Sequence, residues 1–416
     1  MNARIVAALG RPFLVAALLF GAATVRAASG SSAQPAMRSV VAGRCGSCHP
    51  AERAQHANSV HAGEEVRCVS CHGGDDRALD ERSAHGAGFR GRISKAQEPQ
   101  LCASCHSNES RMHAYDLPVD QLALYQLSGH GRRLAQGDTK VAVCSDCHGA
   151  HEIRRSDDPA SSVFAANIPR TCGKCHGDEA LMKSRRLPNA YALYETSVHA
   201  KQLHDKGNLG APTCVSCHGT HGATPPQVGD IDKVCGRCHS AERRWYQAGP
   251  HREGMLAKGL AECSSCHRAH DVMPAETARL ATQCIDCHAK DSAEARVGVK
   301  LDEQYRAAAA AVEKADERIA EAEDVPLRTD DYRSRMEVAR TYLREALTAG
   351  HAVDVEMMAT YAEKAHTVGD QVESEIEEKL GNIRLERILL IVFWFYVLAT
   401  VHFLRRARDR APRATE

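Results

Sequence analysis

Residues 194–221 read YETSVHAKQLHDKGNLGAPTCVSCHGTH. The stretch contains an ordered set: Tyr194, then Ser197-Val198-His199, then Cys214-x-x-Cys217-His218, then one more histidine at His221. The same order recurs along the chain. His130 precedes Cys144 by 14 residues, His199 precedes Cys214 by 15, and His251 precedes Cys263 by 12. Each of these cysteine motifs continues as Cys-His-x-x-His, pairing His148 with His151, His218 with His221 and His267 with His270. A second Cys-x-x-Cys-His follows each, at Cys172, Cys235 and Cys284. A fourth, more divergent copy runs from His61 through Cys68 to Cys102. It has Asp75 where the extra histidine would stand, and His85 is the nearest replacement. The upstream histidines share a signature, since Tyr125-Gln-Leu-Ser-Gly-His130 and Tyr246-Gln-Ala-Gly-Pro-His251 align with His56-Ala-Asn-Ser-Val-His61. His56 occupies the aromatic position of that pattern. Repetition of this kind implies stacked supersecondary units.

The cysteine count sharpens the chemistry. All 18 cysteines fall into nine Cys-x-x-Cys-His units: Cys45 and Cys48, Cys68 and Cys71, Cys102 and Cys105, Cys144 and Cys147, Cys172 and Cys175, Cys214 and Cys217, Cys235 and Cys238, Cys263 and Cys266, Cys284 and Cys287. Their histidines are His49, His72, His106, His148, His176, His218, His239, His267 and His288. Composition alone would give about 0.04 such units. The motif is the attachment signature of c-type haem. Two thiols add to two vinyl groups on one porphyrin edge, and the adjacent histidine reaches the iron as proximal ligand. A disulfide framework explains the even count but not the histidines, and zinc sites built on cysteine pairs leave the same histidines unexplained. The expected cofactors are nine covalently bound haem c groups.

These motifs, from residue 45 to 288, resemble the multihaem c-type cytochromes built from doubled Cys-x-x-Cys-His modules. The similarity is distant to cytochrome c3-like proteins and to the small membrane-anchored cytochromes that feed periplasmic reductases. The resemblance implies closely packed haems forming a wire, held by sparse polypeptide in short helices and loops. The expected fold is therefore mainly α and irregular. An aromatic content of 5% fits, with porphyrin replacing side chains as apolar filling.

Distal iron ligands must come from the other histidines. In the haem region these are His56, His61, His85, His113, His130, His151, His199, His204, His221, His251 and His270. Four modules supply His61, His85, His130, His151, His199, His221, His251 and His270 as distal candidates. The haem at Cys45 stands alone, and His113 is the remaining candidate donor. The family resemblance suggests that a distal histidine crosses to a neighbouring haem. With two histidines on every iron no site is open for substrate, no catalytic residue is assigned, and the chain is an electron carrier more than an enzyme. A multihaem reductase or oxidase of a small nitrogen or sulfur compound is the alternative if one iron stays open, with the Cys45 haem the first to suspect. A haem-packed scaffold subunit is another.

The ends of the chain carry a membrane signature. Arg4 and Arg11, the apolar run Phe13–Val25 and the small residues around Arg26 and Ala27 form a secretory signal peptide over residues 1–27. Residues 388–404 contain no Lys, Arg, Asp or Glu and as a helix would extend about 26 Å, enough to cross a membrane core. Arg405, Arg406, Arg408, Arg410 and Arg413 follow, which places the basic tail 405–416 in the cytoplasm by the positive-inside rule and the haem domain in the periplasm. His402 sits at the cytoplasmic edge of this helix.

Between the haem region, 28–290, and the membrane segment, residues 291–387 lack cysteine. Tyr305, Ala308, Val312, Ala315, Ile319 and Ala322 step by three and four, as on an amphipathic helix. Pro326 breaks it. Tyr332, Met336, Ala339 and Leu343 mark a second helix ended by Gly350. Met358, Tyr361, Ala365, Val368 and Val372 mark a third that runs to Arg387 and on towards the membrane segment. These form a helical hairpin or bundle in which His351 and His366 are read as packing or solvent-face residues. A formal net charge of zero leaves no basic excess for nucleic acid. The expected function is a membrane-anchored relay between a quinone-linked membrane partner, such as an integral quinone-reactive or b-type cytochrome subunit, and a soluble or outer-membrane redox partner. A homo-oligomer could form through the tail.

Overall fold

The computed structural model describes residues 43–223, 231–274 and 277–410, so the signal-peptide expectation and Arg413 lie outside the described residues. Two kinds of structure follow one another. From Cys45 to Asp286 the described chain forms short α and 3-10 helices of 3–9 residues joined by turns, with no strand among the described residues. From Ala293 onward it forms three long helices, Ala293–Glu323, Asp330–Ala349 and Val355–Arg410.

The difference lies in what each region buries. The cluster of buried apolar side chains is confined to the long helices: Ala308, Val312, Ala315, Ile319, Met336, Ala339, Ala346, Met358, Ala365, Val372 and Ile376 recur at helical spacing on the facing stripes. Alanine at so many of these positions lets the helices approach closely. Met336 and Met358 fill the space left between them, both wholly buried. In the haem region, buried apolar residues are scattered, for example Met112, Val143, Met182, Leu203 and Met255.

Ion pairs fix the bundle's register. Ala311 meets Gly369 and Lys314 pairs with Glu373 at 2.7 Å, so the first and third helices run in the same direction; Asp316 pairs with Arg340 at 2.7 Å and Glu323 with Arg333, while Lys364 lies over the Tyr342 ring and Glu375 pairs with Arg335 at 2.8 Å, so the second runs against both. Gly369 is seated on the first helix, where a Cβ would lie 2.8 Å from the backbone of Ala311. The third helix is uninterrupted from the bundle through residues 388–404. Leu380 is the last buried apolar residue of the core; beyond it Ile388, Phe395 and Phe403 are exposed, at 57%, 76% and 71%. This is the one helix, among the described residues, long and apolar enough to cross a membrane.

The haem region meets the opposite end of the bundle. Gly298, in the second turn of the first long helix, lies where a Cβ would come within 2.6 Å of Cys284 Sγ. Helix Ser240–Ala248 packs on the turn Gly350–Ala352 that joins the second long helix to the third.

Candidate haem-binding site

The repeat seen in the sequence is a repeat in three dimensions. Three of the four upstream histidines, His61, His130 and His199, lie in the first turn of a short helix capped by the serine two residues before them, whereas the helix of His251 begins after Pro250 with no side-chain cap. The hydroxyl of Ser128 accepts the Gly131 N–H at 3.0 Å, that of Ser197 accepts the Ala200 N–H at 3.1 Å, and that of Ser59 accepts the His61 N–H at 3.2 Å. Ser128 and Ser197 are buried, at 1% and 0% exposure. The repeated spacing of the tyrosine has a similar local cause. Tyr125 donates its hydroxyl to the Ala142 carbonyl at 2.9 Å and Tyr194 to the Pro212 carbonyl at 3.0 Å, in each case two residues before a haem motif. Burial pushes both phenols up to about 12, so they remain donors.

The first motif of each module forms a single helical turn that ends on a residue of positive φ. Gly73, Gly149 and Gly219 adopt φ of 66°, 82° and 81°, and Arg268 holds the matching place at φ 65° and ψ 179°. This reversal turns the chain so that the next histidine points away from its own motif. Only glycine adopts such a conformation without strain, at a typical cost of about 1–3 kcal/mol for other residues. Arg268→Gly should therefore raise the denaturation midpoint, by an amount corresponding to roughly 1 kcal/mol of unfolding free energy, because the strain relieved exceeds the Arg268–Asp271 ion pair at 2.8 Å. A lower midpoint would mean that the ion pair outweighs the backbone.

Nine histidine pairs carry the geometry of the site. His49 faces His85 with ring centres 6.2 Å apart, His72 faces His151 at 6.2 Å, and His106 faces His61 at 6.1 Å. His148 faces His221 at 6.1 Å, His176 faces His130 at 6.2 Å, and His218 faces His270 at 5.9 Å. His239 faces His199 at 6.4 Å, His288 faces His251 at 6.1 Å, and His267 faces His351 at 6.0 Å. Every pair joins one motif histidine to one histidine outside a motif.

An imidazole nitrogen lies about 2 Å from a first-row metal and about 1 Å from its own ring centre, so two rings on opposite sides of one metal have centres about 6 Å apart. Direct ring contact is much closer, as between His85 and Phe89 at 4.2 Å. The residues therefore fit a metalloporphyrin between each pair. Burial first, and the facing imidazole second, push His61, His130, His148, His151, His199, His251, His267 and His270 below the ordinary histidine range, towards the neutral form that can coordinate. His72 Nδ1 lies 2.9 Å from the Gly91 carbonyl, a contact that holds the proton on Nδ1 and leaves Nε2 free.

Thiols of successive motifs are neighbours. Burial and adjacent Cys68 raise the Cys45 thiol. The same two causes act on Cys71 with Cys105, Cys217 with Cys235 and Cys266 with Cys287. Cys147, buried beside Cys172, is pushed up to about 11. The Cys102 thiol is raised by its contact with Cys144 and by burial, and that of Cys172 by Cys214 and burial. Polar links brace the same junctions: Lys95 pairs with Asp146 at 2.7 Å, and Glu98 accepts from the Ser145 hydroxyl at 2.9 Å. Glu98, Cys102 and Cys144 sit together, with both thiols belonging to attachment motifs. From Cys45 to Cys235, and again from Cys263 to Cys284, motif order along the chain is thus neighbour order in space.

The pairing differs from the sequence expectation at two positions. The Cys45 motif was matched with His113; the ring facing His49 is His85. His113 is exposed at the start of the single turn His113–Tyr115 and belongs to none of the nine pairs. His351, read from sequence as a packing or solvent-face residue, instead faces His267. His204 and His366 lie beside carboxylates, 3.6 Å from Glu195 and 3.1 Å from Asp370. The signal that could have found His351 is the direction of crossing. If each Cys-His-x-x-His donor reaches back one module, the last module needs a donor from further down the chain.

Comparison with known proteins agrees with this geometry. Residues 137–240 match the cytochrome c3 family, and residues 234–313 match the cytochrome c554 and c-prime family. No curated protein and no solved structure matches the chain. The two matched stretches overlap across the Cys235 motif and together run from residue 137 to 313, from before the Cys144 motif to the first long helix. Over residues 137–313 the chain is therefore similar to two families of multihaem c-type cytochromes, which supports a multihaem electron-transfer protein, and its third long helix is long and apolar enough to anchor it in a membrane.

Proposed function

We propose that the chain carries nine covalent haems, each iron held between two imidazoles, and relays electrons from module to module. The relay runs between a quinone-linked partner in the cytoplasmic membrane and a soluble or outer-membrane redox partner. The observation that carries the reading is that no motif histidine lacks a second ring about 6 Å away. Haem supplies one-electron uptake and release at iron; the protein's part is to set spacing, axial field and burial. The cysteines would tether each porphyrin edge. The back-reaching histidines His85, His151, His221 and His270 would each bind an iron attached by the preceding segment of chain, while His61, His130, His199 and His251 would serve the second haem of their own module. Interlocking of this kind fixes neighbouring porphyrins in a rigid order, which a relay requires.

The arrangement favours a carrier over an enzyme because a second imidazole occupies the face that substrate would need. The basic flank Arg405, Arg406, Arg408 and Arg410 supports a cytoplasmic C-terminus and a periplasmic haem region. A helix confined to one span encloses no quinone pocket, so an integral quinone-reactive or b-type cytochrome subunit would supply that chemistry.

Mass spectrometry of the mature protein combined with electron paramagnetic resonance tests the reading. The expected result is nine added haem groups and only low-spin iron. A high-spin signal that shifts on adding nitrite or a related small oxyanion would replace the relay with the reductase alternative.

A further inference from the structure

The modular array closes on the helical tail. In the first three modules, a backbone hydrogen bond holds the next module in place. The N–H of Val60 donates to Ile153 O at 2.8 Å, that of Gly129 to Ala223 O at 3.3 Å, and that of Val198 to Val272 O at 3.0 Å. The donor is always the residue immediately before His61, His130 or His199. The acceptor is always two residues after the back-reaching His151, His221 or His270. One local contact therefore sets each crossing histidine against the motif of the preceding module.

The last module has no successor, and its chemistry at this place is different. Pro250 stands before His251 and has no N–H to give. What packs there is the turn Gly350–Ala352 of the bundle. Gly249 comes so close that a Cβ would lie 2.6 Å from Ala352 O. In that seat the His351 ring faces His267 at 6.0 Å with the planes 30° apart, within the spread of the other eight pairs. His351 Nδ1 lies 3.1 Å from the Thr348 carbonyl, the same contact that His72 makes with Gly91. A proton held on Nδ1 by that carbonyl leaves the Nε2 lone pair for a metal.

We propose that His351 is the distal ligand of the iron bound at Cys263, Cys266 and His267, so that the helical tail takes the place of a fifth module. The inference rests on the haem reading above. It makes the bundle part of the redox centre, because the turn between its second and third helices carries an axial ligand.

The test uses the full-length, haem-loaded protein. His351→Ala should keep nine haem groups by mass and convert about one-ninth of the iron from low-spin to high-spin, and added imidazole should restore the low-spin signal. His113→Ala should leave the spectrum unchanged. Nine low-spin irons in the His351→Ala protein, or a high-spin iron produced by His113→Ala, would overturn the assignment. His351→Met serves if the alanine protein does not accumulate, since methionine can ligate haem iron and raises its potential. One potential should move upward with a methionine–iron signature, and an unchanged set of potentials would count against the inference. A wild-type mass short of nine haem groups would instead sink the underlying haem reading.

Discussion

Made in a host that cannot attach haem, the full chain is expected to keep the helicity of its three long helices yet lose residues 45–288 to limited proteolysis, while a fragment starting near Ala293 survives. The asymmetry follows from burial. The long helices bring their own core, closed around Met336, Met358, Val372 and Ile376, and such a core folds without assistance. The haem region has helices of nine residues or fewer, and isolated helices below about 12 residues are marginal in water. Among the described residues its buried apolar side chains lie outside the joined cluster of the bundle, and its histidines face one another across gaps of about 6 Å that metalloporphyrin would fill. Ligand binding energy here is folding energy. Circular dichroism with proteolytic mapping checks the outcome. A colourless protein whose residues 45–288 resist protease would show that side chains alone hold this half together.

The second large effect concerns the membrane segment. Ending the chain after Arg387 should release the protein from the membrane fraction with its visible spectrum and haem content unchanged. Residues beyond Leu380 add nothing to the buried core, and the helix 388–404 displays its apolar side chains on every face, as expected of a segment solvated by lipid. Cell fractionation followed by haem-stained electrophoresis reads both parts of the expectation. Haem loss on truncation would mean that the segment supports the fold, and continued sedimentation with membranes would mean that another surface provides the attachment. Loss of tethering should also slow electron exchange with a membrane donor, since anchoring raises the effective concentration of the two partners.

Much of this architecture is legible in the residues themselves because its signals are local. Cys-x-x-Cys-His needs five consecutive residues, the serine caps of His61, His130 and His199 lie two positions upstream, and Pro326 and Gly350 mark bundle turns that the structure places at Asp324–Thr329 and Gly350–Asp354. The partner of each iron is less legible because it depends on which modules touch. His85 lies 13 residues past His72 yet faces His49, and His351 lies 84 residues past His267 with no haem motif near it. Counting donors against irons within the haem region points to His113, whose ring faces none of the nine motif histidines. The substitution of Pro250 for Val, Gly or Val at the docking N–H is the sequence trace of a module that receives a helix turn instead of another module.

The parallel first and third helices set a height. From Val355, beside the Gly350–Ala352 turn, to Ile388, where the charge-free segment begins, the third helix advances 33 residues, or about 50 Å. The motifs at Cys263 and Cys284 sit against the upper end of this mast. With residues 388–404 in the bilayer, those two cofactor sites stand far above the lipid headgroups, and the rod beneath them has no redox group to conduct along it. In the proposed relay, with the helix standing along the bilayer normal, a donor embedded in lipid would have to raise its own prosthetic groups to meet these sites, whereas a carrier diffusing in the open compartment would find them already lifted clear of the surface.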